Sequence, residues 1–262
     1  MKKFLPLFVL LSSLLHASPV GNPSFPRILQ KGFFIPSDVW INARVGYEGD
    51  FIYDGRLKQE IESSGRVDNY KQFTNSATTT LNILDRLDLY GVFGSSQTRA
   101  EWRFTTAAGV LHNVNMETHY NFLWGIGARA LLLEWGKTNL GMGGRYSSCN
   151  YKPVWLTIDG ANESVAGTHA MWKEWQVNLD VSYEIDLFIP YIGVKYSSAT
   201  TKLGTFHTAI SSNGSGKNHF TNRVPVGLYL GCTLSTGKYF MLNVEGRLID
   251  EEAVTVSGDV RF

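Results

Sequence analysis

Polar and apolar residues alternate along much of the chain with a period of two, which is the pattern of β-strands. The alternation is clear over residues 39–53 and again over residues 174–185. In the second segment Val177, Leu179 and Val181 share one face, and the polar residues between them share the other. The pattern predicts ten strands, at residues 39–53, 79–93, 99–110, 120–135, 138–147, 174–185, 190–198, 224–234, 240–248 and 254–262.

The connections between these strands alternate in length. Short turns are predicted at residues 94–98, 136–138, 187–189 and 235–237, and longer connections at 55–78, 111–119, 148–170 and 199–221, with a brief one at 250–253. Short turns at one end, long loops at the other and an even strand number are typical of outer-membrane barrels. The predicted fold class is therefore all-β, a transmembrane antiparallel β-barrel of about 10–12 strands with both termini on the periplasmic side.

The first residues have the features of an export signal. Lys2 and Lys3 precede an apolar run over residues 4–15, and Ala17 offers a small residue for cleavage. At ~1.5 Å per residue the run spans about 18 Å as a helix, short of a ~30 Å hydrocarbon core. The predicted organisation is a signal peptide at 1–17, an N-terminal segment at 18–38 and a single outer-membrane β-barrel domain at 39–262.

Composition excludes some partners. The chain has 24 Lys and Arg against 23 Asp and Glu, so it lacks the basic field that nucleic acid requires. Its two cysteines do not have the paired spacing of a zinc site, and no metal or cofactor is expected. Cys232 shares parity with Leu228 and should face lipid, whereas Cys149 is expected in an outer loop beyond Arg145. A disulfide between them is therefore not expected.

A soluble β-sandwich or lipocalin-like barrel would also alternate, with its apolar face turned inward. Four aromatic residues near strand ends favour the membrane barrel because interfacial girdles occupy that position, namely Tyr53, Trp102, Trp172 and Trp175. Phe262 closes the final strand and is interpreted as an assembly signal for the barrel-assembly machinery.

Several segments resemble, in order, the framework of the chlamydial major outer membrane protein porin family. They are residues 18–23, 43–54, 73–94, 127–141, 173–199 and 245–262. The chain is similar to a shortened member, with fewer residues between these blocks and fewer cysteines. The resemblance implies a cell outer membrane location as a multi-pass β-barrel. It also implies passive diffusion of ions and small hydrophilic solutes, a structural role in the envelope, contact with outer-membrane lipid and a homotrimer.

If the apolar faces meet lipid, the opposite faces line a lumen. Parity gives these lumen-lining candidates: Arg44, Glu48, Asp50, Arg86, Asp88, Arg129, Arg145, Glu174, Asp180, Glu184, Lys195, Arg223, Glu245, Arg247, Asp259 and Arg261, and it also includes Arg99, Glu101 and Arg103. Similar numbers of each sign predict weak overall ion selectivity. The alternative is that these groups pair across strands and plug a narrow interior. That would leave a structural or adhesive surface protein with antigenic loops and no open pore.

Histidines in the predicted outer loops suggest an enzyme as a rival class. They are His112, His119, His169, His207 and His219, with Asp159, Glu163 and Ser164 nearby in sequence. No spacing among them places a nucleophile beside a base. We therefore expect no enzymatic function.

Overall fold

A computed structural model describes residues 19–30, 32–33, 39–60, 65–106, 109–204 and 219–262, so the predicted signal peptide lies outside the described residues. These residues form one helical turn, α1 (Phe25–Ile28), and one large antiparallel sheet. The strands are β1 (Ile41–Gly55), β2 (Leu57–Gln59), β3 (Gly65–Ile83), β4 (Leu87–Thr105), β5 (Leu111–Thr118), β6 (Asn121–Trp135), β7 (Thr138–Tyr151), β8 (Pro153–Ile158), β9 (Ala161–Asn162), β10 (Ala170–Tyr183), β11 (Phe188–Leu203), β12 (His219–Asn222), β13 (Val226–Ser235), β14 (Phe240–Leu248) and β15 (Glu251–Arg261).

Ten of these strands close into a barrel. The order around the ring is β3, β1, β15, β14, β13, β11, β10, β7, β6 and β4, and β4 pairs with β3 again. β2, β5, β8, β9 and β12 extend the sheet at one end. The predicted all-β transmembrane barrel is confirmed. None of the helices among the described residues is long and apolar enough to span a membrane.

The ends of the barrel differ as predicted. Short turns at residues 84–86, 136–137, 184–187 and 236–239 lie at one end, and the five additional strands lie at the other. The backbone N–H of Phe262 donates to the carbonyl of Ala43 at 2.9 Å, so the last residue lies beside the start of β1 at the short-turn end. We refer to the short-turn end as periplasmic and to the opposite end as outer.

The strand predicted at 79–93 is wrong, because a hairpin turn interrupts it. β3 ends at Ile83 and β4 begins at Leu87, with Leu84 and Asp85 in the turn at φ values of 55° and 53°. Such positive φ angles are usual for Gly, Asn or Asp and uncommon for Leu. Leu81 and Leu89 both lie on odd positions, so the alternation continues across the turn without a break.

The turn predicted at 94–98 is wrong for the complementary reason. Gly94 and the residues after it lie inside β4, paired with β3. A Cβ on Gly94 would lie 2.2 Å from the carbonyl oxygen of Asn75 and 2.5 Å from the Cα of Ser76. Glycine is therefore present because two strands approach closely, as it often is within strands.

Across the middle of the barrel the faces are inverted relative to a soluble protein. Leu179 is 48% exposed, whereas its neighbour Asp180 is 3% exposed. On β1, Tyr47 is 55% exposed and Arg44 is 2% exposed. Exposed apolar side chains repeat around the ring and form a continuous apolar surface. Soluble monomers rarely expose an apolar surface of this extent to water. This outward apolar band is the surface that a bilayer covers, which excludes the soluble barrel.

At the outer end the arrangement is that of a soluble protein, with apolar side chains inside and charged side chains outside. Trp102 and Phe104 of β4 point inward at 2% exposure, while Arg99, Glu101 and Arg103 point outward. The assignment of these three charged residues to the lumen is therefore wrong. The physical reason is that this part of the sheet extends beyond the hydrocarbon, where the outer surface meets water and apolar side chains turn inward.

A filled barrel lumen as the candidate functional site

The outer half of the lumen, below the outer rim, contains a buried network of opposite charges. Arg247 of β14 contacts Asp50 of β1 at 2.6 Å and Glu251 of β15 at 2.5 Å. Lys195 of β11 contacts the same Glu251 at 2.7 Å and Asp250 at 3.1 Å. These side chains are 7% exposed or less. The network ties four strands together across the outer half of the lumen.

Two further ion-pair groups join β1 to β4, β6 and β7. Arg145 of β7 contacts Glu48 of β1 across the lumen at 2.8 Å. Asp88 of β4 accepts a hydrogen bond from Arg44, and Arg129 of β6 lies 3.8 Å from it. Charged groups buried in this way are stable only when each is paired and hydrogen-bonded. In these groups each carboxylate thus has at least one basic partner.

Residues 19–30 occupy the periplasmic half of the lumen, and we refer to them as the plug. The backbone N–H groups of Val20 and Gly21 donate to the two carboxylate oxygens of Glu245, at 3.1 and 2.8 Å. Tyr191 donates its hydroxyl hydrogen to the same carboxylate at 3.0 Å. Val20 packs between Tyr191 and Tyr229. Glu245 therefore anchors the inner end of the plug.

The rest of the plug follows the wall down to the periplasmic mouth. The amide of Asn22 donates to the hydroxyl of Thr233 at 3.0 Å, and the hydroxyls of Ser24 and Ser182 lie 2.5 Å apart. The guanidinium of Arg44 donates to the carbonyl of Phe25 at 2.5 Å. The apolar residues of the plug form a small core with the wall, made of Phe25, Ile28, Leu29, Ile189 and Met241.

An apolar cluster fills the outer end, and we refer to it as the outer cap. Its centre is Trp102, whose ring lies 5.5 Å from that of Phe220, and Tyr151, whose ring lies 6.5 Å from that of Trp172. The additional strands β5, β8 and β12 contribute to it. A cavity of about 20 Å³ remains among these residues, room for about one water molecule.

Most of the predicted lumen residues point into the barrel. The structure buries Arg44, Glu48, Asp50, Asp88, Arg145, Glu174, Asp180, Lys195, Glu245, Arg247, Asp259 and Arg261, and it half-buries Arg129 and Glu184. Arg86 and Arg223 lie elsewhere, exposed in connections between strands. The lumen position predicted for Arg86 is wrong because this residue lies in the turn between β3 and β4. Its guanidinium pairs with Glu134 at 2.9 Å.

Sequence reasoning missed several residues that complete the lumen. Asp250 and Glu251 were assigned to a short loop, yet both bind Lys195. Tyr229 of β13 donates to Asp180, and its alternation with Leu228 and Leu230 was the available signal. The plug has no periodic pattern, so its place inside the barrel had no signal in the sequence.

The two cysteines are both free, as expected. The position predicted for Cys149 is wrong, because β7 continues to Tyr151 and carries Cys149 inward into the outer cap. It shares parity with Arg145 and Ser147, which also point inward. Cys232 is half-buried on β13.

Two of the five loop histidines pair with carboxylates of neighbouring connections. His112 lies 2.7 Å from Asp159, and His219 lies 3.1 Å from Glu60. The N–H of Asn113 and the imidazole of His112 lower the pKa of Asp159. Among the described residues neither pair includes a serine or cysteine, and no cluster suited to a metal ion is found there. His207 lies outside the described residues.

Comparison with known proteins supports the resemblance. The family described as Chlamydia major outer membrane protein matches residues 152–218. The major outer membrane porin, serovar D, of Chlamydia trachomatis is 25% identical over 393 residues, covering 100% of both chains. The porin of Chlamydia muridarum is 26% identical over 388 residues, covering 96% of each chain. Among solved structures, the β domain of a Bordetella autotransporter matches with a TM-score of 0.43 and 9% identity, covering 86% of this chain and 99% of that one.

The relatives align along the whole chain, although an alignment of 393 residues is much longer than this chain of 262. The predicted resemblance to a shortened member of that family is thereby confirmed. Together with the outward apolar band, these relatives place the chain in the outer membrane as a multi-pass β-barrel.

Proposed function

We propose that this relative of the chlamydial major outer membrane porins is itself a porin, and that the structure is its closed conformation. The observation that carries the proposal is a charged, hydrophilic lumen closed at the periplasmic end by a segment of the same chain. The plug is held by hydrogen bonds and a small apolar core, with no disulfide among the described residues. Passive diffusion of ions and small hydrophilic solutes would follow its release.

The periplasmic mouth leaves room for the plug to move. A cleft of about 480 Å³ lies beside it, lined by Arg27 and Ile28 of the plug and by Glu184, Ile189 and Lys238 of the wall. Arg27 contacts Glu134 at 2.6 Å at the rim, where both groups are partly exposed. Exposed ion pairs of this kind contribute only ~0–1 kcal/mol, so the rim contact is a weak latch.

For solutes to pass, the outer cap must open as well. The strands that carry it are joined to their neighbours by few residue pairs. β2 is joined to β12 by three residue pairs, and β12 is joined to β11 by three. Short edge pairings of this kind open locally at low free energy. The plug, which contacts several strands of the ring, is therefore the main closure in this proposal.

The charge of the lumen favours cations. Among the described residues, the buried side chains include nine carboxylates, Glu48, Asp50, Asp88, Glu174, Asp180, Glu245, Asp250, Glu251 and Asp259, and five bases, Arg44, Arg145, Lys195, Arg247 and Arg261. Arg129 adds a sixth base at 14% exposure. Near-equal numbers were expected from the sequence. The excess of carboxylates leads us to propose a cation preference in the open state.

A single neutralisation tests this preference. Asp180→Asn should assemble normally, because the amide can still bond Tyr229 and Asn178, and should lower the potassium-to-chloride permeability ratio. The measurement is the reversal potential in a potassium chloride gradient across a planar bilayer. Asp159→Asn, in an exposed outer connection, is the matched control and should leave that potential unchanged. An unchanged potential in Asp180→Asn channels would contradict a conducting lumen lined by Asp180.

The rival function is a permanently closed structural or adhesive barrel. The apolar outer cap favours it, because a water-filled path requires polar walls along its whole length. A role in the envelope and a homotrimeric assembly are compatible with either function, and outer-membrane lipid is the environment of both. Absence of any current from correctly folded protein would favour this rival over the porin.

Phe262 is proposed as the signal read by the barrel-assembly machinery. Its backbone N–H bonds to Ala43, a contact that any residue at this position could make. Phe262→Ala should therefore preserve the pairing of β1 with β15 and reduce the amount of inserted barrel through poorer recognition. Fractionation of the membranes, with heat-modifiable migration as the readout of folded barrel, measures this. Wild-type amounts of inserted Phe262→Ala protein would disprove the role.

A further inference from the structure

A pocket of about 310 Å³ lies on the outward-facing surface of the barrel wall, where β7, β10 and β11 approach the outer end. Tyr146, Trp175, Lys173 and Lys202 are among the residues that line it. Trp175 lies opposite Tyr146 on one side and Ser198 on the other. We propose that this pocket binds the phosphate group of an anionic lipid of the outer leaflet.

The vertical position of the pocket suits a lipid headgroup. The ring of Tyr146 is tilted against that of Trp124 with centroids 5.6 Å apart, and the ring of Trp175 lies 6.3 Å from that of Tyr196. Such aromatic pairs mark the boundary between hydrocarbon and headgroups. Below them the outward face continues with Val177, which is 38% exposed and positioned for acyl chains. The lysines lie on the other side of the aromatic residues, at headgroup level.

The two lysines are placed to share one phosphate. Lys173 lies opposite Thr200, and Lys202 lies opposite Met171, so the lysines are diagonal neighbours on adjacent antiparallel strands. Diagonal neighbours are roughly 7–8 Å apart at the backbone, within reach of two long side chains that converge on one group.

The pocket has positive charge without a protein counter-charge. Within the part of the chain that the structure describes, neither lysine forms an ion pair or a side-chain hydrogen bond. Glu174 lies between Lys173 and Trp175 in sequence, but its side chain is on the inner face and 2% exposed. A phosphate would supply the counter-charge for the two ammonium groups and the acceptors for their N–H groups.

The test is a lipid titration of the purified, detergent-solubilised full chain, followed by native mass spectrometry. Phosphatidylglycerol and phosphatidylcholine of equal chain length are compared, and wild-type protein should retain phosphatidylglycerol preferentially. Each lysine near an anionic headgroup contributes a factor of about five, so Lys173→Gln with Lys202→Gln should weaken phosphatidylglycerol binding roughly 30-fold. The double variant should remain folded, since both side chains point outward.

The matched control is Lys137→Gln with Lys238→Gln, two exposed lysines at the periplasmic end. This control should bind phosphatidylglycerol like the wild type. An equal loss in the control, or unchanged binding in the test variant, would overturn the proposal. Inorganic phosphate is added as a third arm, and displacement of lipid by millimolar phosphate would show a free-anion site instead of a lipid site.

Discussion

Leu179→Arg should abolish accumulation of the folded barrel in the membrane. Leu179 lies on the outward face of β10, between Trp175 towards the outer end and Tyr183 at the periplasmic end, and is 48% exposed. Its position halfway between these aromatic residues puts it near the bilayer midplane. An arginine facing lipid at that depth costs about 2–4 kcal/mol. That is a large part of the stability of an ordinary domain, which is about 5–15 kcal/mol.

The same substitution elsewhere on the strand isolates the effect of depth. Met171→Arg places arginine on the same face of β10, above the aromatic residues, where water and headgroups solvate it. It should assemble in wild-type amounts. The measurement is the heat-modifiable fraction in isolated outer membranes. If water instead of lipid surrounded this face of β10, both positions would be solvated. Equal assembly of the two variants would therefore contradict the lipid-facing assignment.

The sequence predicted the strands wherever a break in the alternation marked both of their ends. β6, β7, β10, β11, β13, β14 and β15 lie within a few residues of their predicted positions, because each is bounded by a change in pattern. The β3–β4 hairpin was missed since its three-residue turn preserves parity and contains no glycine. The predicted number of ten strands nevertheless equals the number in the ring. The missed hairpin turn removes one strand from the prediction, and the turn wrongly placed within β4 adds one.

The lumen residues were predicted from the rule that apolar side chains point outward and the polar side chains between them point inward. That rule holds only where the outward face of the strand meets lipid. It placed Arg44, Asp50 and Arg247 inward correctly, since their strands cross the hydrocarbon. It misplaced Arg99 and Arg103, which lie where the outer surface of β4 is in water. The plug could not be predicted at all. Its residues bind through backbone groups and small polar side chains, such as those of Gly21 and Ser24, which carry no periodic signal.

A disulfide between the plug and the wall would hold the plug in place reversibly. The hydroxyl oxygens of Ser24 in the plug and Ser182 in the wall are 2.5 Å apart, so these two side chains meet end to end between the plug and the wall. Ser24→Cys with Ser182→Cys, in a chain that also carries Cys149→Ala and Cys232→Ala, should form that bond under oxidation. Ser24→Cys alone in the same chain is the control, which has no partner thiol.

Single-channel current through this locked barrel, recorded in a planar bilayer before and after a reductant is added, tests the closed-porin account directly. The account predicts no conducting events while the disulfide is intact, and events like those of the control once it is reduced. Mass spectrometry of the linked peptide verifies that the bond has formed. Full conductance from completely cross-linked protein would show that ions pass with the plug in place, and would contradict the account.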